Sequence, residues 1–157
     1  MKVQSCRAML LNPVYCLTLG FGTGLSPKAP GTVGTLLGFP LYYLVTMPGI
    51  PWLIPVLLGI SFVLGIWLCD ATSRVLGEAD HPAIVWDEIV AMAMVLSLTP
   101  ATWPWQVTAF AVFRFFDIVK PWPIRVVDRT MKHGLGVMLD DAVAAVFTVM
   151  VVQVMAR

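Results

Sequence analysis

The stretch Ala29 to Cys69, APGTVGTLLGFPLYYLVTMPGIPWLIPVLLGISFVLGIWLC, runs for 41 residues without an Asp, Glu, Lys or Arg. A tract of this composition does not form the water-facing surface of a soluble domain, and its prolines and glycines mark where it folds. Met47-Pro48-Gly49-Ile50-Pro51 reads as a turn, because proline lacks the amide a helix interior needs and glycine tolerates unusual dihedrals. One helix is expected at roughly Thr32 to Thr46 and another at Trp52 to Cys69. The second would run about 27 Å, just sufficient for a bilayer core. The first carries Gly34, Gly38 and Pro40 and is expected to tilt, kink or cross only in part.

Working outward, the same pattern recurs. Of 157 residues, 59% are hydrophobic and 12% charged, about half the usual charged share. Ala8 to Pro27, Ile89 to Phe113 and Ala142 to Ala156 also lack charged residues, which confines the charge to short intervening segments. A net charge of +1 with no basic run excludes an electrostatic grip on nucleic acid. Cys6, Cys16 and Cys69 are odd in number, make no zinc spacing with the two histidines, and read as apolar packing residues. Disorder, a disulfide-stapled secreted mini-protein and a nucleic-acid factor are thereby ruled out. Lys2 and Arg7 precede an apolar stretch with a superficial likeness to a signal peptide. Asn12 and Pro13 interrupt it and no small-residue cleavage site follows, so it is expected to be retained.

Thr99-Pro100-Ala101-Thr102-Trp103-Pro104 sits in the middle of the tract Ile89 to Phe113, and its two prolines favour a helical hairpin over one long helix. The hairpin returns Asp87 and Glu88 to the same side as Arg114 and Asp117. Its arms are short for a full crossing, which suits packing within protein. A polar segment, Asp70 to His81, is expected in water or at the interface, and a last apolar helix from about Asp140 to Met155. The expected fold is all-α: a membrane-embedded bundle of about four to six helices, some short or re-entrant. It forms one domain over residues 1–157, with 1–13 an N-terminal cytoplasmic segment and 14–155 the helical core. Placing the two uncharged turns on one membrane face puts nearly every charge on the other, with only Arg157 dissenting. Lys2, Arg7, Lys28, Arg74, Arg125, Arg129 and Lys132 make that other face cytoplasmic by the positive-inside rule.

The acids carry the chemistry. Asp87-Glu88, Asp117 and Asp140-Asp141 each stand at the edge of an apolar tract, where a carboxylate is costly unless paired, protonated or metal-bound. Five of them on one face suit Mg²⁺, a hard cation that usually takes one or two carboxylates plus substrate phosphate. Helix capping by Asp87 and Asp140 is the competing explanation, but it leaves Glu88 and Asp141 unaccounted for. Arg114, Lys120, Arg125 and Arg129 fall close together, and their chemistry suits phosphate. Pairing with Asp117, Asp128 or lipid headgroups is the plainer role, preferred for Arg129 and Lys132. The segment Gly20 to Thr35 is the densest in glycine and precedes a helix, so its amides and an N-terminus capped by Thr32 could cradle an anion. It is no Walker loop, and a Gly/Pro linker fits it equally well. His81, before a proline, reads as loop packing. Against these enzymatic readings stands a small cation or metabolite transporter, whose acids would be spread through membrane depth.

Four segments together resemble one family. GFGTGLSPKAPGTVGT (Gly20 to Thr35), DHPAIVWDEIVAM (Asp80 to Met92), FRFFDIVKPWPIRVVDR (Phe113 to Arg129) and GLGVMLDDAVAAV (Gly134 to Val146) are similar to phosphatidylglycerophosphatase A, a bacterial membrane enzyme. The resemblance covers about residues 14 to 150. It implies a Mg²⁺-dependent, mainly helical hydrolase that converts phosphatidylglycerophosphate to phosphatidylglycerol at the cytoplasmic face of the inner membrane. By position, its acidic motifs fall on Asp87, Glu88, Asp117, Asp140 and Asp141, the expected metal ligands, with Asp87, Glu88 and Asp141 as catalytic candidates. Its glycine loop falls on Gly22 to Thr35, within which Gly22, Thr23, Gly24, Ser26, Gly31 and Thr32, together with Lys120 and Arg125, are the expected phosphate-binding residues.

Overall fold

A computed structural model describes residues 8–78, 81–131 and 133–157. Lys2, Cys6, Arg7, Asp80 and Lys132, used above, lie outside the described residues, as does the side chain of Asp128. Among the described residues no strand occurs. The chain forms α1 (Pro13–Thr18), a 3₁₀ segment (Gly20–Leu25), α2 (Pro30–Leu36), α3 (Gly38–Thr46), α4 (Leu53–Leu76), α5 (Trp86–Ser97), α6 (Trp103–Val119), α7 (Ile124–Thr130) and α8 (Gly134–Met155).

Local chemistry sets many of these ends. Asn12 caps α1, its Oδ1 accepting from the Val14 amide at 2.9 Å, and Pro13 and Pro30 stand where a helix has no use for the missing N–H. Gly77 ends α4 in the left-handed conformation (φ 77) that costs glycine little. The proline-containing stretch before Trp103 separates α5 from α6, so the expected hairpin forms.

α5 is the hub. Val85, Val90, Met92, Ala93 and Val95 are fully buried, and at 12 residues the helix is about 18 Å long, too short to cross a bilayer. It is wrapped by α3, α4, α6 and α8. Phe113 of α6 and Ala144 and Val152 of α8 complete one core cluster, and Leu68, Cys69 and Met138 belong to another. Buried Cys69 packs here as expected for an apolar cysteine. α4 and α8, with 24 and 22 residues, are long and apolar enough to cross a membrane. Only 22% of the most apolar window of α4 is buried, against 50% for α8, and Val56, Ile60, Val63 and Trp67 of α4 remain exposed.

Three expectations are corrected. The helix placed at Thr32 to Thr46 is two helices, joined at Leu37 and Gly38; a Cβ on Gly38 would stand 2.5 Å from that of Met92, so the chain bends where it passes close to α5. The helix placed at Trp52 to Cys69 continues to Leu76, which puts Asp70 and Arg74 on its last turns, paired at 2.5 Å. The i,i+4 pair and the glycine stop extend it beyond the apolar tract. The last helix begins at Gly134, not near Asp140, where the Ile66 carbonyl and Asp70 of α4 pass close to the glycine; Asp140 and Asp141 are therefore interior residues and cap nothing.

Candidate active site

Three helices deliver charge to one place. Asp87 and Glu88 occupy the first turn of α5, near the positive end of its dipole. The loop that leads into this turn is pinned by the Val85 amide donating to the Thr18 carbonyl at 3.0 Å. Arg114 and Asp117 come from the end of α6, Lys120 from its C-cap, and Asp140 and Asp141 from the second turn of α8. All seven line a cavity of about 360 Å³, together with Gly31 and Thr32 of α2. The five predicted acids are thus brought together.

Two cations sit among them. Arg114 Nη1 donates to Glu88 Oε1 at 3.3 Å and to Thr35 Oγ1 at 3.1 Å, and pairs with Asp117. Lys120 Nζ donates to Asp140 Oδ2 at 2.5 Å. Asp141 is buried and its Oδ2 accepts no hydrogen bond, an arrangement that is unfavourable for a carboxylate unless another partner arrives. Among the described residues no three of His, Cys, Asp and Glu form a ready-made metal cluster. The reason lies in the ion pairs: Arg114 and Lys120 interleave with the acids. A Mg²⁺ held by one or two carboxylates and a phosphate needs no such cluster, and the hard oxygens of Asp87 and Asp141 suit it.

Ala29 (φ 46) and Lys120 (φ 44) are left-handed non-glycine residues, and both line the cavity. Backbone strain of this sort collects at functional sites. Gly31 is required for a different reason. A Cβ there would collide with Glu88 Oε1 and lie 3.2 Å from Arg114 Nη2, so glycine lets α2 close over the pair without displacing the Glu88 carboxylate.

Not every predicted residue reaches the site. Gly22, Thr23, Gly24 and Ser26 are absent from the cavity wall. Thr23 Oγ1 donates to the Gly20 carbonyl at 2.8 Å, Ser26 Oγ to that of Lys28 at 2.9 Å, and Gly24 abuts the Ala83 carbonyl. This part of the glycine segment is folded on itself and on the loop before α5 instead of opening onto an anion. Thr32 lies inside α2, whose N-cap is Ala29, so it lines the cavity without capping the helix. Arg125 is exposed on α7 and outside the cavity wall. His81 Nδ1 accepts from the Ala83 amide at 3.1 Å, which is the loop role expected of it. Thr35 was missed as a partner of Arg114. Its place four residues after Gly31, on the same helix face, was the available signal.

Fold and site define a class: a small all-helical protein with an acid-rich, cation-bridged cavity built where the ends of otherwise apolar helices meet. The sequence model of the family Phosphatidylglycerophosphatase A matches residues 16–156. The chain belongs to that family, one of phosphoric monoester hydrolases. It is 45% identical over 148 residues to a phosphatidylglycerophosphatase A of Haemophilus influenzae, covering 93% of this chain and 90% of that one. It is 41% identical over 148 residues to the Escherichia coli protein of the same name, covering 93% and 85%. A Bacteroides thetaiotaomicron protein provisionally named a phosphatidylinositol-3-phosphatase is 39% identical over 142 residues, covering 86% and 88%. No solved structure matches the chain.

Proposed function

We propose that this protein hydrolyses phosphatidylglycerophosphate to phosphatidylglycerol and inorganic phosphate, a step of phospholipid synthesis, with Mg²⁺ as cofactor. The observation that carries the reading is the convergence of Asp87, Glu88, Asp117, Asp140 and Asp141 with Lys120 on one cavity in a chain of this family. Asp87 and Asp141 would hold the ion, with Glu88 beside them. When bound, Mg²⁺ supplies neutralisation of the phosphomonoester charge.

The chain's own residues do the rest. Lys120, freed from Asp140 as a phosphate enters, pairs with a non-bridging oxygen, and the Gly31-Thr32 wall leaves room for the group. Catalysis of phosphoryl transfer is mostly positioning and charge stabilisation. Water attacks phosphorus, the bond from phosphorus to the glycerol oxygen breaks, Asp87 or Asp141 takes the proton of the attacking water, and the departing glycerol oxygen takes a proton from solvent to leave as the hydroxyl of phosphatidylglycerol. Attack by an aspartate to form an aspartyl-phosphate is the alternative, told apart by whether ¹⁸O from water appears first in phosphate or in protein during one turnover.

The same reading places the protein across the inner membrane several times, with the acids at the cytoplasmic side. Support comes from the apolar length and exposure of α4, and from the charge-free turn between α5 and α6, at the opposite end of both helices from their acids. A transporter reading would spread its acids through the depth of the bundle; here they share one cavity.

The test is phosphate release by purified protein from phosphatidylglycerophosphate, phosphatidic acid and phosphatidylinositol 3-phosphate, with Mg²⁺ or with EDTA. Release from the first lipid, dependent on Mg²⁺, is expected; release from none of them sinks the proposal. Asp141→Asn should cut turnover at least about 100-fold without lowering the melting temperature, since it removes a buried charge whose Oδ2 lacks a hydrogen bond. Normal turnover in that variant would remove Asp141 from the site.

A further inference from the structure

We infer that Arg114 is a positioning residue: without touching substrate, its guanidinium fixes the carboxylates of Glu88 and Asp117 by fastening them to α2. The inference rests on the function proposed above and assigns it a part that residue chemistry alone would not suggest. An arginine in a phosphatase cavity is first read as a phosphate clamp. The surroundings of this one argue otherwise. Its side chain is 13% exposed, and Nη1 is committed to three protein oxygens, those of Thr35, Glu88 and Asp117. Nε is shielded from solvent and has no hydrogen-bond partner, so a phosphate would have to reach the group through Nη2. Nη2 stands 3.2 Å from where a Cβ on Gly31 would be, so α2 passes directly over the group.

Thr35 completes the fastening. Its hydroxyl donates to the Gly31 carbonyl at 2.7 Å, which fixes the direction of its lone pairs and lets Oγ1 accept from Arg114 at 3.1 Å. Thr35 is fully buried. One planar group thereby joins α2, α5 and α6, and orients a carboxylate at the mouth of α5. Lysine has the charge but not the fixed fork, so it would hold these oxygens less rigidly. Supporting groups of this type typically matter as much as the groups they orient.

The test uses the full-length protein in nanodiscs, with Arg114→Gln, Arg114→Lys and Thr35→Val. Three quantities are read: kcat and KM on phosphatidylglycerophosphate, Mn²⁺ affinity by electron paramagnetic resonance, and the thermal melt. For Arg114→Gln we expect kcat lower by about 100-fold with KM within about threefold. Thr35→Val should lower kcat about 10-fold, and combining it with Arg114→Lys should cost less than the product of the separate losses. Mn²⁺ affinity separates positioning from bulk charge. Removing a cation should tighten Mn²⁺ by Coulomb's law alone, whereas loss of carboxylate orientation should weaken it by about 10-fold.

A raised KM at unchanged kcat would make Arg114 a substrate ligand and overturn the inference. So would Mn²⁺ binding as tight as wild type, or no Mn²⁺ binding by either protein. If Arg114→Gln does not fold, Arg114→Lys and Thr35→Val decide; folded proteins with wild-type kcat overturn it. A wild-type protein inactive on the lipid would defeat the proposed function, while the Mn²⁺ comparison would still judge Arg114.

Discussion

Gly31 and Glu88 form a contact in which one atom's absence is the working part. Because a Cβ at residue 31 would occupy the space of Glu88 Oε1, any side chain there must displace the carboxylate or push α2 off α5. Gly31→Val is expected to leave the protein folded, since α2 is a short surface helix with Gly31 only half-buried, and to lower kcat about 100-fold or more by misplacing Glu88. A steady-state assay on the folded variant checks this; unchanged kcat would mean that Glu88 has no fixed position to lose. Lys120 makes a related point. Its left-handed backbone (φ 44) ends α6 and places the ammonium within 2.5 Å of Asp140, where an ordinary helical residue would carry it onward along the helix axis.

At the scale of elements, the site depends on how α6 sits against α5 and α8. Phe113 is the pin: it is fully buried and immediately precedes Arg114. Phe113→Ala should cost about 3–5 kcal/mol, seen as a lower melting temperature, with activity falling further than the folded fraction because Arg114 loses its support. Equal losses in the two would show that the cavity and the core are uncoupled.

The hairpin of α5 and α6 was legible because two prolines interrupt an apolar tract, and the convergence of the acids because the hairpin returns its ends to one side. The glycine segment was only half legible. Composition marks it as important but cannot tell a glycine that approaches a ligand from one that approaches protein. Gly24 meets the Ala83 carbonyl and Gly34 the side chain of Val85, contacts between segments more than fifty residues apart in the chain, which no local pattern encodes. The start of α8 was misread for a similar reason. The apolar tract begins after Asp141, but the helix begins at Gly134, where close passage by the Ile66 carbonyl and Asp70 of α4 fixes it.

For the molecule as a whole, the proposed topology makes the two ends of the bundle face different compartments. In a protein freed of its native cysteines, Ile50→Cys, in the exposed turn before α4, should react with an impermeant maleimide on intact spheroplasts. Trp122→Cys, 80% exposed beyond α6, should react only after lysis. The reverse pattern would invert the topology, and labelling of both from outside would put the two ends on one side and overturn the proposed arrangement.

The start of α8 also sets how deep the chemistry lies. Asp141 is seven residues beyond Gly134 in that helix, about 10 Å along its axis from that first residue. On the proposed function and topology, a lipid phosphate would have to sink past the rim of the protein to reach it, while the acyl chains stay anchored in the same leaflet. The headgroup would then double back toward the hydrocarbon, and a long, pliable linker between phosphate and diacylglycerol folds in this way more easily than a short one. Reach, as much as charge, would then sort one lipid from another.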